Sequence, residues 1–202
     1  DQVEAWKTHN QKLKEKREWL NQKDFKEIRF KGPGTDLKVG LADDHEWMGG
    51  ASMSQNGIVC NPNIPSEEVF TTPHALRVEG HVSSTKPLSH QGTLIDNIRV
   101  IFEKGTITEA KATKGETVLN KVLDSDEGDR RLGEVALVPN SSPISKSGLL
   151  FYNTLFDENA ACHIALGQCY SKCFKGEKNL SASEIRAKGG NSSMIHIDWM
   201  IG

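Results

Sequence analysis

Near the end of the chain, Met194-Ile195-His196-Ile197-Asp198-Trp199-Met200 sets two ionisable side chains one position apart in an apolar run. Alternate residues of a strand share a face, so His196 and Asp198 would point the same way. Imidazole and carboxylate together suit zinc, cobalt or manganese, and a plain His–Asp hydrogen bond is the alternative. Glu134 opens the apolar run Val135-Ala136-Leu137-Val138. Burying a lone carboxylate there is costly unless a metal or a cation meets it, and the nearby Arg130 and Arg131 offer the salt bridge. His163 and Tyr170 lie seven apart in a stretch that reads as a helix over 157–170, capped by Asp157. Seven residues are about two turns, so both rings would share one face, as ligands or as an ordinary core pair. Glu67 and Glu68 follow Ser66, where a capped turn could leave both acids solvated.

Cysteine chemistry is the other possibility. Cys162 adjoins His163, and Cys169-x3-Cys173 has the look of a redox or metal pair. Neighbours on a helix diverge by about 100°, and no second Cys/His pair of suitable spacing completes a structural zinc site. Buried structural thiols fit these positions better. Taken together, Glu68, Glu134, His163, His196 and Asp198 are the ligand mix of a two-metal hydrolase, provided that one carboxylate bridges and a shared water closes the site.

These residues must be carried by a scaffold. Apolar positions Val3, Trp6, Leu13 and Leu20, with Trp19, recur at helical spacing among Lys, Glu and Gln and predict a surface helix over 3–20. Residues 25–30 and 37–41 alternate around Gly32-Pro33-Gly34-Thr35-Asp36 and predict a hairpin. Strands follow at 69–72 and 76–84, then at 98–102 and 106–110 around Lys104-Gly105. The remaining pattern gives helices at 116–123 and 182–187, and strands at 135–138 and 194–201. The expected fold is α+β, one domain over 1–202 with a mixed, largely antiparallel sheet and flanking helices.

Composition narrows the function. The chain has 202 residues, 25 basic against 27 acidic, for a net charge of −2. Basic residues after the first helix are dispersed, so no stripe exists for a phosphate backbone and nucleic acid is not an expected partner. No apolar run approaches the ~18 residues of a membrane span, and residues 1–4 lack a signal-peptide pattern. Four cysteines without a disulfide framework suit a reducing compartment, and a cytoplasmic location is expected. The absence of an initiator methionine and the stop at Gly202 directly after a strand give the look of part of a longer polypeptide.

Four blocks carry a resemblance: 63–73 (Asn-Ile-Pro-Ser-Glu-Glu-Val-Phe-Thr-Thr-Pro), 126–139 (Asp-Glu-Gly-Asp-Arg-Arg-Leu-Gly-Glu-Val-Ala-Leu-Val-Pro), 151–160 (Phe-Tyr-Asn-Thr-Leu-Phe-Asp-Glu-Asn-Ala) and His196-Ile197-Asp198. The chain resembles the thermophilic-aminopeptidase family of metallopeptidases from Trp6 to Gly202. The resemblance implies release of N-terminal amino acids from peptides, with co-catalytic divalent metals (zinc, cobalt or magnesium) held by Glu68, Glu134, His163, His196 and Asp198. Tyr170 matches the family's active-site tyrosine, whose hydroxyl would bind the developing oxyanion. Either Glu67 or Glu68 would shuttle the proton to the leaving amine. Ser66 and Trp199 depart from the usual threonine and phenylalanine without touching a ligand. Family members are longer, so this chain corresponds to the catalytic part, lacking an N-terminal α/β domain and a C-terminal tail, and a homodimer is expected. The contrasting expectation is a non-catalytic assembly module, in which the ligands would be damaged; all five stand.

Overall fold

A computed structural model describes residues 1–176 and 179–202. The first helix, Gln2–Lys23, begins where the Asp1 carboxylate accepts the Val3 N–H at 2.9 Å, and ends at Asp24 in a left-handed conformation. Only Leu13 and Leu20, two turns apart, are buried; Val3 and Trp19 are exposed, so the packed stripe is narrower than the sequence pattern suggested. Asn21 fastens this helix to the following loop, since its side chain accepts the Trp47 N–H at 2.7 Å and donates to the Trp47 carbonyl at 3.2 Å.

Two antiparallel sheets form the body. One has five strands in the order Glu27–Gly32, Thr35–Leu41, Pro73–Ser83, Arg99–Glu103, Thr106–Lys111. Both expected hairpins are in it. The other has four strands in the order His196–Met200, His163–Gly167, Leu132–Leu137, Val69–Thr71. The sheets share one apolar cluster: Leu37, Val39, Val78, Val100 and Phe102 come from the larger, Val69, Val135, Ile164, Leu166, Ile197 and Trp199 from the smaller. Helix Glu116–Val122 adds Leu119, and the short helices Pro143–Ser147 and Ala182–Ala187 lie outside. The α+β expectation stands.

One expected element is wrong. The helix predicted over 157–170 is only a turn, Thr154–Asp157, with a single 3-10 turn Glu158–Ala160 after it; His163–Gly167 is the second strand of the four-stranded sheet. A short apolar run gives the same signal for a buried helix and a buried strand, and here partners on both sides decide. His163–Gly167 pairs with Leu132–Leu137 on one edge and with His196–Met200 on the other. Gly167 holds φ at 92°, where a Cβ would strike the Ile195 carbonyl, so the glycine serves this strand end rather than close helix packing. Asn153 caps the short helix in place of Asp157, whose carboxylate instead accepts the Phe151 and Asn153 N–H groups at 2.7 and 3.1 Å.

Candidate metal centre

Strand register brings the ionisable residues together. Glu134 stands opposite Ala165, which stands opposite Asp198; Ala136 stands opposite His163, and Gly167 opposite His196. Residues directly opposite one another share a face, as do residues two apart. Glu134, His163, His196 and Asp198 therefore all project from one face of the small sheet. Phe70 lies opposite Ala136, and Glu68, two residues before Phe70, continues that face from the edge. Ala136, Ala165 and Gly167 fill the same face with almost nothing, which leaves room for the longer chains. The other face carries Val135, Ile164, Leu166, Ile197 and Trp199 into the core.

The result is two groups of three donors sharing Glu134. Glu68, Glu134 and His163 form one; Glu134, His196 and Asp198 form the other; within each, the donor atoms lie within 4.8 Å of one another. His163 Nε2 is 2.9 Å from Glu68 Oε2 and 3.6 Å from Glu134 Oε1, while His196 Nε2 is 3.6 Å from Asp198 Oδ1 and 3.9 Å from Glu134 Oε2. Short as it is, the first contact lacks hydrogen-bond alignment, and both Glu68 Oε2 and His163 Nε2 are buried without a partner. Each imidazole is fixed from behind. His163 Nδ1 meets the Ala161 carbonyl at 3.1 Å and His196 Nδ1 the Gln168 carbonyl at 2.7 Å. A carbonyl only accepts, so each Nδ1 carries the hydrogen and each Nε2 is turned to the cluster with a lone pair when neutral.

Electrostatics point to missing positive charge. Burial, with Glu68 and Asp198 close by, outweighs the nearby His163 imidazole and pushes Glu134 up to about 7. Burial would lower both histidines, yet the carboxylates win: Glu134 and Glu68 hold His163 well above its usual value, and Asp198 holds His196 up at about 9. Burial would raise Asp198, but the adjacent His196 imidazole and the nearby His163 keep it low. Three carboxylates and two correctly oriented imidazoles, with orphaned buried donor atoms between them, fit divalent cations.

Neither nearby arginine supplies the salt bridge to Glu134. Arg130 pairs with Asp124 at 2.7 Å, and Arg131 donates to the carbonyls of Ala75 and Lys104, so neither reaches Glu134. Glu67 is buried rather than solvated; it faces His9 at 3.6 Å and lies outside the cleft, which removes it as a proton shuttle. Tyr170 is not a helical neighbour of His163. It follows the His163 strand in a loop, its ring 4.8 Å from the His196 ring and 6.0 Å from Phe70, with burial raising its phenol. All four cysteines are free thiols. The Cys162 thiol engages the Val138 backbone at 3.5 Å, while burial holds Cys169 at about 11 and raises Cys173.

A cleft of about 460 Å³ opens above the donors, lined also by Met48, Phe70, Tyr170, Lys172 and Arg17. One lining residue escaped sequence reasoning. Glu158, 6% exposed, sits in the 3-10 turn and is pushed up to about 8 by burial and by Asp198 and Glu68. Its place after Asp157 made it look like an ordinary first-turn acid. Asn159 explains how the turn is held: its side chain accepts the Glu67 N–H at 2.7 Å and donates to the Leu155 carbonyl at 3.0 Å, while its carbonyl accepts the Ser142 hydroxyl at 2.7 Å.

Comparison with known proteins places the chain among metalloproteases. A family model described as thermophilic metalloprotease (M29) matches residues 1–202. The chain is 54% identical over 202 residues to Aminopeptidase T of Thermus thermophilus, covering 100% of this chain and 49% of that protein. It is 48% identical over 202 residues to Aminopeptidase 2 of Geobacillus stearothermophilus, again covering 100% of this chain and 49% of the relative. A solved structure of wild-type AmpT from Thermus thermophilus superposes with a TM-score of 0.93 at 54% identity, over 99% of this chain and 49% of that one. The chain spans about half the length of the curated relatives it matches. With the family model matched from end to end, the chain belongs to the thermophilic metalloprotease family, M29.

Proposed function

We propose that this chain is the catalytic domain of a two-domain metallo-aminopeptidase that releases N-terminal amino acids from peptides. The observation that carries the reading is the pair of donor groups on one sheet face with Glu134 common to both. That arrangement suits two divalent ions, one on Glu68, Glu134 and His163, the other on Glu134, His196 and Asp198. Relatives named aminopeptidases, about twice as long as this chain, support both the activity and the division into domains. Zinc, cobalt and magnesium all tolerate such ligands, and availability decides among them.

When bound, the cations would acidify a water and polarise the first peptide carbonyl. The residues of the chain supply the rest. Glu134, buried and common to both groups, fixes their spacing; the Ala161 and Gln168 carbonyls hold each imidazole in its ligating tautomer. Tyr170, next to His196 at the cleft wall, places a neutral phenol where the carbonyl oxygen gains charge, and its raised pKa keeps it a donor at neutral pH. With Glu67 turned away, Glu68 remains the candidate among that pair for moving the proton to the leaving amine. A homodimer or a second domain covering part of this chain belongs to the same reading, and relatives about twice its length support the second domain. Four free thiols support a cytoplasmic location.

Elemental analysis beside hydrolysis of a panel of aminoacyl chromogenic amides tests the reading. Bound divalent metal, loss of hydrolysis with a chelator and indifference to a thiol alkylating agent are expected. Full hydrolysis in excess chelator would remove metal from the mechanism.

A further inference from the structure

The donor groups leave one carboxylate of the cleft unused. Glu158 belongs to neither group of three, is 94% buried by its 6% exposure, and lines the same cleft as Glu68, Glu134 and Asp198. Among the described residues no side-chain hydrogen bond or ion pair meets its carboxyl; burial and the charges of Asp198, Glu68 and Glu134 raise it, and only His163 acts against them, without a contact. The cations of the cleft are occupied elsewhere. Arg17 donates to the Gly49 carbonyl at 3.4 Å, and Lys172 Nζ sits over the rings of Phe70 and Tyr170 at 4.9 and 5.0 Å. A desolvated carboxylate is costly until a cation meets it. The turn that holds it is fastened on two sides, because the Asn159 side chain accepts the Glu67 N–H of the loop that presents Glu68 and the Asn159 carbonyl accepts the Ser142 hydroxyl. Glu158 is thus a fixed, unpaired acceptor beside the reaction centre.

We infer that Glu158 receives the free α-ammonium group of the substrate's N-terminal residue, and so confines the cleft to peptides with an unblocked terminus. This rests on the metallo-aminopeptidase reading. Covalent geometry sets the amine nitrogen only about 2.5 Å from the first carbonyl carbon, so its acceptor must lie next to the groups that act on that carbonyl. Glu158 lies close enough to Asp198, Glu68 and Glu134 for each to change its proton affinity. An internal peptide offers an amide at this position, with no charge to match the carboxylate, and an N-acetylated terminus does the same while adding bulk. Discrimination then comes from leaving Glu158 buried and unpaired with the wrong ligand.

The test uses a phosphinic dipeptide analogue with a free amine and its N-acetyl form, titrated calorimetrically into the metal-loaded protein. Both forms carry the same side chain and phosphinate, so unknown specificity and metal affinity cancel in their ratio. Wild type should prefer the free amine, and Glu158→Gln should weaken that form about 10- to 100-fold while leaving the N-acetyl form unchanged, as expected for one charge-assisted hydrogen bond. Metal content and melting temperature of the variant, both expected to match wild type, show that it is folded and loaded. An unchanged ratio in Glu158→Gln overturns the inference and leaves the metallopeptidase reading intact. Failure of the free-amine analogue to bind metal-loaded wild type overturns both, and N-acetyl binding as tight as that of the free amine in wild type overturns the inference alone.

Discussion

If His163, His196 and Glu134 hold the metals, loading them must displace protons, and the structure says how many. His196 is held at about 9 and His163 well above its usual value, so at pH 7 each imidazole of the metal-free protein carries a full extra proton. Glu134, at about 7, carries roughly half of one. A ligating Nε2 or carboxylate oxygen cannot keep its proton, so full loading at pH 7 should release about 2.5 protons per chain. Each released proton makes apparent affinity change tenfold per pH unit, so binding should strengthen about 100- to 300-fold per unit around pH 7. The sign follows from the direction of the shifts. Groups with raised pKa values keep their protons as pH falls, so acid opposes metal; above about 9 His196 and Glu134 are already deprotonated, and the release should fall. Isothermal titration of the divalent ion in buffers of different ionisation enthalpy reads the proton number directly. Release near zero at pH 7, or affinity flat between pH 6 and 8, would refute the assignment of these imidazoles as ligands.

Glu134→Gln keeps the shape of the shared ligand and removes its charge, so both metal affinity and turnover should fall, affinity by about 100-fold or more, measured by equilibrium dialysis beside amide hydrolysis. The same variant should melt higher than wild type at pH 8 when both are metal-free, and differ less at pH 5. A carboxyl raised above its unfolded value costs stability as pH climbs through that interval; a lower melting point at pH 8 would contradict the cause given for the shift. Tyr170→Phe should retain metal and lose about 100-fold in kcat, since the phenol acts only as charge develops; a change confined to KM would make Tyr170 a substrate-positioning residue instead. Asn159→Ala strands the buried Glu67 N–H, costing about 2–3 kcal/mol and lowering the melting temperature by roughly 5–10 °C, and a shift of under about 2 °C in a calorimetric scan would show that the Glu67 loop is held by something else.

What the sequence disclosed and what it withheld follow from the range of each signal. Alternation is local, so the Thr35–Leu41 and Arg99–Glu103 strands, their hairpin turns and the shared face of His196 and Asp198 were all legible from neighbouring residues. The His163 segment was not. Its apolar run suits a helix and a strand equally, and the choice is made by strands more than 20 residues away on either side. Reading it as a helix still selected His163, because a buried ionisable side chain demands a partner in either conformation. The same misreading hid Glu158. At the start of a long helix an acid is an ordinary answer to the dipole, whereas at the start of a single 3-10 turn against the C-terminal strand it is a carboxylate placed in the cleft.

The register also explains why the ligands come from separated parts of the chain without a compact motif. Glu134, His163 and the His196-Asp198 pair come from three neighbouring strands of a four-strand antiparallel ladder, and Glu68 from the residue just before its fourth. Such a ladder puts residues from remote segments about 5 Å apart with no loop needed to aim them. The small residues opposite them matter as much as the ligands. Ala136, Ala165 and Gly167 occupy the positions where any larger side chain would fill the space between the two donor groups. A one-residue slip of the Leu132–Leu137 strand would turn Glu134 into the apolar core and Val135 into the cleft. Pairing on both edges of that strand, with Val135 and Leu132 anchored in the shared core, makes the slip costly. The packing that stabilises the sheet is therefore also what fixes the spacing of the proposed metal ligands.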